Sequence, residues 1–424
     1  MAWSRKTTSG SLRHAITAAA ALLMVTMGAL AAFAAPTITV KDGVTRVANG
    51  AQPSGKREVV TLQEAWRVGG DEGEDFFGLI TQVRVGKDGR IYLLDTRLAE
   101  VPVYDREGTR VATLSREGDG PGESRLPANL VFMPDGTLGL AQIFPGKIIK
   151  INLDGSPAGS FTPGGADPTQ GGFLQLFDCS ANGSDLVVTA ESIAQAGTAG
   201  QDRTNYVAMM DAAGKEKVRF LERKSHLDFA AFEFNEDKTD RVDFRKVAVG
   251  KDSRVYIAGT RNRYAIDVYG KDGKLQRVIE RAFEHRARTD EEYQRLQTMV
   301  QAQLAQLPGA KVAMSHNEPD ISAIEFGSDG NLWVSNSRSG HDQPAGIMFT
   351  WDVFTPDGEF IKQVSAKCAG DGKEDSLIWT PDGNAVLVTG FLEAALSLQG
   401  GGGAADDDKE APPMEVVYLK RVGG

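Results

Sequence analysis

The chain has 424 residues, 41% hydrophobic and 25% charged, which supplies apolar material for a packed core and excludes a wholly disordered chain. Its 48 glycines exceed the ordinary share of about 7% while its 17 prolines do not stand out, a balance that points to many tight turns rather than a linker or a collagen-like repeat. With 47 Lys and Arg against 57 Asp and Glu, the net charge of −10 argues against a general nucleic-acid binder.

Residues 1–34 read as an export signal. Arg5, Lys6 and Arg13 make a positive start, the run from Ala15 to Ala35 carries no charge, and Lys41 and Asp42 restore polarity at once. Cleavage before Ala35 places the small residues Ala32 and Ala34 at −3 and −1, and a cut one residue later would leave Pro36 first. Loss of the three basic residues takes the mature charge to −13. The alternative is an N-terminal membrane anchor, since about 20 apolar residues span a bilayer, but the run is Ala-rich rather than Leu-rich. The expected location is therefore periplasmic or extracellular, with a membrane role only if the leader stays. Residues 35–57 carry no strong pattern and are expected to be flexible.

A phrase then recurs six times: Gly86 to Leu93 (GKDGRIYL), Met133 to Leu140 (MPDGTLGL), Ala181 to Val188 (ANGSDLVV), Gly250 to Ile257 (GKDSRVYI), Gly327 to Val334 (GSDGNLWV) and Thr380 to Leu387 (TPDGNAVL). Each has apolar alternation before a turn-forming pair and an apolar run after it, the pattern of a hairpin between half-buried strands. Most copies have a second turn, as at Asp105 to Gly108, Asp154-Gly155, Asp211 to Gly214, Asp272-Gly273 and Asp357-Gly358, preceded by a β-prone stretch. A unit of about four strands cannot bury its own faces, and radial stacking solves that problem. The third copy is poorly marked.

The chain ends point to closure. The sixth unit runs out after Met414 to Leu419, while Glu58 to Leu62 stands as an orphan strand before the first complete unit. The orphan is expected to be the outer strand of the last unit, where it would cover an edge that otherwise templates aggregation. A β-sandwich accounts for the strand content but not for sixfold repetition with complementary ends.

Two stretches, IYLLDTRLAEVPVYDREGTRVATLSREGDGPGE from Ile91 and PDISAIEFGSDGNLWV from Pro319, resemble the secreted bacterial branch of the six-bladed β-propellers related to NHL repeats. The resemblance covers residues 58–424 and implies an all-β, six-bladed β-propeller closed by an N-terminal outer strand in the last blade. That scaffold hosts lyases, lactonases and plain binding proteins, so the fold does not fix an activity.

In such a propeller the loops between blades share a face with those joining second to third strands, opposite the Asp-Gly turns. The long insertions, Glu191 to Thr204, Glu222 to Arg241, Phe283 to Asp320 and Gly390 to Met414, all fall on that first face, which marks it as functional. The 283–320 insertion, between blades 4 and 5, is expected to hold a helix. Thr289 and Glu292 have capping-box spacing, and Tyr293, Leu296, Val300, Leu304 and Leu307 form an apolar stripe before Pro308-Gly309. This helix is either a lid over the channel mouth or a rim element. Residues 400–413 (GGGGAADDDKEAPP) have no apolar pattern and are expected to be a disordered loop.

His226, His285, His316 and His341 all map to the long-loop face. Converging imidazoles, with Glu318 or Asp320, could hold Zn²⁺, although none has the short spacing of known ligand pairs. Arg97, Arg261 and Arg338 align at one position in blades 1, 4 and 5, where guanidinium forks could bind a carboxylate or phosphate. The alternative is that each pairs with a local acid such as Asp95 or Glu100. The Glu117 to Glu123 loop lacks the Lys-Ser/Thr of a phosphate-binding loop, and no GxSxG elbow or HExxH is present. Cys179 and Cys368 fall near opposite faces and are expected to be free thiols, since bridging needs Cα atoms within about 7 Å.

Two functions remain open. One is a monomeric, secreted propeller that binds a small anionic ligand or a protein partner on its long-loop face without chemistry, with no cofactor and no nucleic acid. The other is a lyase or hydrolase that uses those histidines to hold Zn²⁺ or Ca²⁺.

Overall fold

The computed structural model describes residues 35–423 except 72, 166–171, 198–199, 240, 306, 308 and 400–412. The leader and nearly all of the 400–413 loop thus lie outside the described residues. Among those described, no helix is long and apolar enough to cross a membrane.

The recurring phrase folds as expected because its chemistry is local. In five copies the Asp carboxylate accepts the N–H two residues on: Asp88 from Arg90 (3.1 Å), Asp135 from Thr137 (3.1 Å), Asp252 from Arg254 (3.1 Å), Asp329 from Asn331 (3.0 Å) and Asp382 from Asn384 (3.3 Å). The residue after the Asp is left-handed, as at Gly89 (φ 80°) and Gly136 (φ 85°), and Ser253 takes the same position at φ 64°.

Each turn joins the first two strands of a four-stranded antiparallel unit. Unit one runs from Ile80–Val85 to Arg110–Leu114, unit two from Pro127–Phe132 to Pro157–Phe161, and unit three from Gly172–Asn182 to Glu216–Asp228. Unit four runs from Val247–Val249 to Leu275–Arg281, and unit five from Ile321–Phe326 to Phe360–Lys367. The sixth comprises Ser376–Trp379, Ala385–Val388, Glu415–Val422 and, from the other end of the chain, Glu58–Gly69.

Both faces of each unit are apolar and are buried against neighbours. Tyr92 and Leu94 of unit one pack with Leu130 and Leu140 of unit two, Ile148 of unit two with Leu186 and Val188 of unit three, and Val187 and Phe220 of unit three with Val255 and Ile257 of unit four. Ile266 and Ile279 then meet Ile324 and Phe354 of unit five, Trp351 and Val364 meet Leu387 and Val417 of unit six, and Val386 and Val416 meet Ile80 and Leu93 of unit one. Every junction between successive units has its own cluster, and the last unit packs on the first. The fold is all-β and propeller-like.

The N-terminal segment departs from expectation. Thr37–Lys41 and Val44–Asn49, inside the stretch read as flexible, form a hairpin whose second strand pairs in parallel with the outer strand of unit four. Crossing to unit five, the chain donates from Ser54 to Phe360 O (2.8 Å) and from Gly55 to Ile361 O (2.9 Å). Glu58 to Thr61 then pair in parallel with Val364 to Lys367, after which Thr61 to Gly69 run antiparallel to Val422 to Glu415. The closing strand is therefore longer than Glu58 to Leu62 and serves two units. Asn49, 8% exposed, fastens units four and five: its amide donates to Glu280 O and Gly358 O (both 2.9 Å) and accepts from Phe360 N (2.9 Å).

Unit three has the longest strands, because Asp185–Ala196 and Gly200–Met210 pair throughout and turn the expected 191–204 loop into a projecting hairpin. The 222–241 insertion supplies the short strand Glu233–Asn235, which pairs in parallel with Lys311–Ala313 of the 283–320 insertion. Helix α1 (Asp290–Gln303) has the capping box in both directions, Thr289 accepting from Glu292 N (3.2 Å) and Glu292 accepting from Thr289 N (2.9 Å). None of its residues is fully buried, so it rides on the surface. Cys179 and Cys368 are both free.

Candidate functional site

The aligned arginines part company. Asp95, 1% exposed, spends its carboxylate on the N–H groups of Gly78 (2.7 Å), Leu79 (3.0 Å), Arg97 (3.1 Å) and Leu98 (3.0 Å), and Asn336 likewise accepts from Arg338 N (2.9 Å). The recurrence in units one and five is thus an Asx-type turn that places backbone, and the guanidinium groups go elsewhere. Arg97 is exposed and forms no ion pair among the described residues. Arg261 is largely buried and neutralised by Glu236 (2.8 Å), with Asp237 at 3.7 Å and a bond to Asn317 O (2.7 Å). Burial holds its guanidinium below the usual value, although Glu236 opposes the shift. Arg338 is 40% exposed, with loose contacts to Glu284 O (3.4 Å) and His285 O (3.5 Å) and carboxylates no closer than Asp342 at 3.7 Å. The three do not form one anion cradle, since Arg261 already has its acids.

The four histidines also separate, which corrects the expectation of a shared metal centre. His226 pairs with Asp202 across the projecting hairpin of unit three (2.7 Å). His316 stacks on Tyr293 of α1, with ring centroids 4.6 Å apart and planes 8° from parallel. His285 places Nδ1 2.7 Å from Asp320 Oδ1, an almost fully buried carboxylate, while its own ring is about half exposed. His341 alone enters a group with metal-ligand spacing, its partners being Glu292 and Glu318, with the three ligand atoms all within 4.8 Å of one another.

That triad is built around Arg286. The buried guanidinium forks onto Glu292 (2.9 and 3.0 Å) and also reaches Glu318 (3.3 Å). Burial opposes ionisation of Glu292, yet Arg286, the Thr289 N–H and the nearby His341 together pull it down to about 2. Glu318 moves the other way, raised by burial against the pull of Arg286. Burial and Arg286 lower the pKa of His341, a shift toward the neutral imidazole.

Several partners were invisible in the sequence. Glu236 accepts two bonds from Arg288 (2.7 and 2.8 Å) and one from Ser315 N (2.9 Å) besides its pair with Arg261, and so ties the 222–241 insertion to the 283–320 insertion. Lys246 immediately precedes the first strand of unit four, as Asp320 precedes that of unit five. Burial pushes its amine down to about 8, with Asp243 and Asp320 pulling back and Arg245 and Arg261 adding to the fall. Asp320 Oδ2, Ser337 Oγ and His341 Nδ1 are buried here without a hydrogen-bond partner among the described residues. The sequence signal was the length of the two insertions; their pairing partners had none.

No family model matches the chain, and no curated protein matches it. Among solved structures it is similar to virginiamycin B lyase from Staphylococcus aureus (12% identity, TM-score 0.39, over 77% of this chain and 80% of that one). It is also similar to an exported protein from Bacteroides fragilis (10%, 0.45, over 89% and 100%) and to the calcium-binding protein regucalcin from Agrobacterium tumefaciens (11%, 0.40, over 86% and 96%). At this identity and overlap they carry no inference about ligand or chemistry.

Proposed function

We propose that the six units are the blades of one closed, exported propeller of the NHL-related kind, and that it binds a small anionic ligand where the insertions of units four and five meet. The observation that carries this reading is His285: a buried carboxylate fixes one ring nitrogen, the ring is half exposed, and the accessible Arg338 guanidinium lies against its backbone carbonyl. Lys246, within electrostatic reach of the same Asp320, adds a positive charge. A carboxylate or phosphate group would meet an imidazole, a fork and an ammonium from two units. Calorimetry with inorganic phosphate and a set of dicarboxylates tests it. Arg338→Ala should weaken binding by about tenfold or more, in line with a charge-assisted hydrogen bond, and Arg97→Ala should leave it unchanged. Equal effects of the two substitutions, or no anion binding at all, would count against the site.

A second reading, a metal-dependent lyase or hydrolase, is favoured by one observation, the spacing of Glu292, Glu318 and His341. The guanidinium of Arg286 already contacts both carboxylates, so a bound cation would have to share them. Stoichiometric Zn²⁺ or Ca²⁺ that survives dialysis of the protein and is lost in His341→Ala but kept in His226→Ala would establish that reading.

A further inference from the structure

A cavity of about 310 Å³ opens on the opposite side, between units five and six, beneath the turns Gly327 to Gly330 and Pro381 to Gly383. That volume is at the lower end of small-molecule sites, about 300–1,000 Å³. Its walls include Phe326 and two tryptophans, Trp333 and Trp379, whose rings meet at 64° with centroids 5.6 Å apart. Trp351 packs behind both, at 5.9 and 5.5 Å, and holds them in place. Three of the five tryptophans of the chain are gathered here.

The charges around the cavity do not cancel. Lys362 and Arg421 line it, but both are spent on Glu58, at 2.9 and 3.1 Å. Asp329 is satisfied by Asn331 N and Nδ2 (both 3.0 Å) and by the Trp333 indole N–H (3.2 Å). Glu325 is the remainder. Among the described residues its carboxylate has neither an ion pair nor a hydrogen bond, and the residue is exposed where it lines the cavity. The desolvation of these surroundings raises its pKa. Arg84 is the cation whose field reaches it, but Arg84 also faces Asp178, forms an ion pair with neither, and donates only to Val83 O (3.1 Å). The unpaired carboxylate, exposed at an aromatic-walled cavity, presents a negative charge that a bound cation would complete.

We infer that this cavity is a second ligand site, specific for a small organic cation of the ammonium class, with Trp333 and Trp379 facing the cation and Glu325 supplying the counter-charge. Indole faces attract alkylated ammonium groups through the ring quadrupole, and such a ligand needs no hydrogen-bond donor to be held. A neutral polyol would leave Glu325 uncompensated, and an anion would be repelled by it. The site lies on the face away from His285 and Arg338 and does not depend on the function proposed for them.

Choline and its uncharged isostere 3,3-dimethylbutan-1-ol are the probes, titrated into the full protein by tryptophan fluorescence and calorimetry, with glucose as the polyol control. The expected result is saturable choline binding, with the isostere weaker by about tenfold or more. Glu325→Gln, which keeps the shape, should reduce the preference for charge several-fold and leave the part that the indole faces supply. Trp333→Leu should lose choline binding while Arg338→Ala keeps it. If Trp333→Leu does not fold, judged by its melting curve, Glu325→Gln decides. Equal affinity for choline and its isostere, a saturable response to glucose instead, or no choline binding by the unsubstituted protein would each overturn the proposal.

Discussion

Ser253 occupies the left-handed position that glycine occupies in four of the other turns, at Gly89, Gly136, Gly330 and Gly383. A side chain there costs about 1 kcal/mol, partly offset by the lower entropy of the unfolded chain. Ser253→Gly should therefore raise stability by roughly 0.5–1 kcal/mol in chemical denaturation. Glu292 makes a different residue-level prediction. Its pKa is depressed to about 2 in the folded chain, so its contribution is complete above the ordinary Glu range near 4.5 and is lost as pH falls from there toward 2. The stability gap between the protein and Glu292→Gln should shrink over that window in pH-dependent melts. What could be read at this scale was what acts locally. The Asp-Gly phrase was legible because each Asp bonds a backbone group two residues away. The partners of His285 and Arg261 were not, since Asp320 and Glu236 lie 35 and 25 residues off and reach them only through the packing of two insertions.

Among the elements, the N-terminal hairpin was the largest surprise. Val44 to Asn49 alternate too weakly to mark a strand, because one side of the pair rests on an existing sheet edge and the other faces water. The edge of unit four supplies the hydrogen bonds that the sequence pattern does not advertise. Asn49 is the residue that anchors it. Asn49→Ala would leave Phe360 N, Gly358 O and Glu280 O without this partner, at a cost of roughly 2–4 kcal/mol if each loss falls at the lower end of the penalty for an unmade buried bond. Urea unfolding measures it, and a change below about 0.5 kcal/mol would mean that the segment is only loosely attached. Helix α1 was legible, by contrast, because its capping box is written in four consecutive residues, Thr289 to Glu292. Its place on the surface rather than in a core was not, since a half-buried stripe has the same period as a buried one.

Taken together, the described residues form a succession of six shared cores, the last unit packing on the first. The strand missing at one end and supplied from the other was readable, because a repeat and its interruption are properties of the string itself. The exact register of closure was not: it is set by the pairing of Glu415 with Gly69 and Val422 with Thr61, between segments more than 340 residues apart. Removing residues 414–424 would strip the strand that lies between Ala385–Val388 and Glu58–Gly69 and should replace one cooperative unfolding transition by two or more. Calorimetry distinguishes these outcomes. Because Glu58–Gly69 emerges early during synthesis and can find its antiparallel neighbour only when Glu415–Val422 has been made, the rim cannot be sealed while the chain is still growing. Thr61 to Gly69 must therefore wait for Glu415–Val422 before they gain an antiparallel neighbour, whereas Glu58 to Thr61 can already lie along Val364 to Lys367.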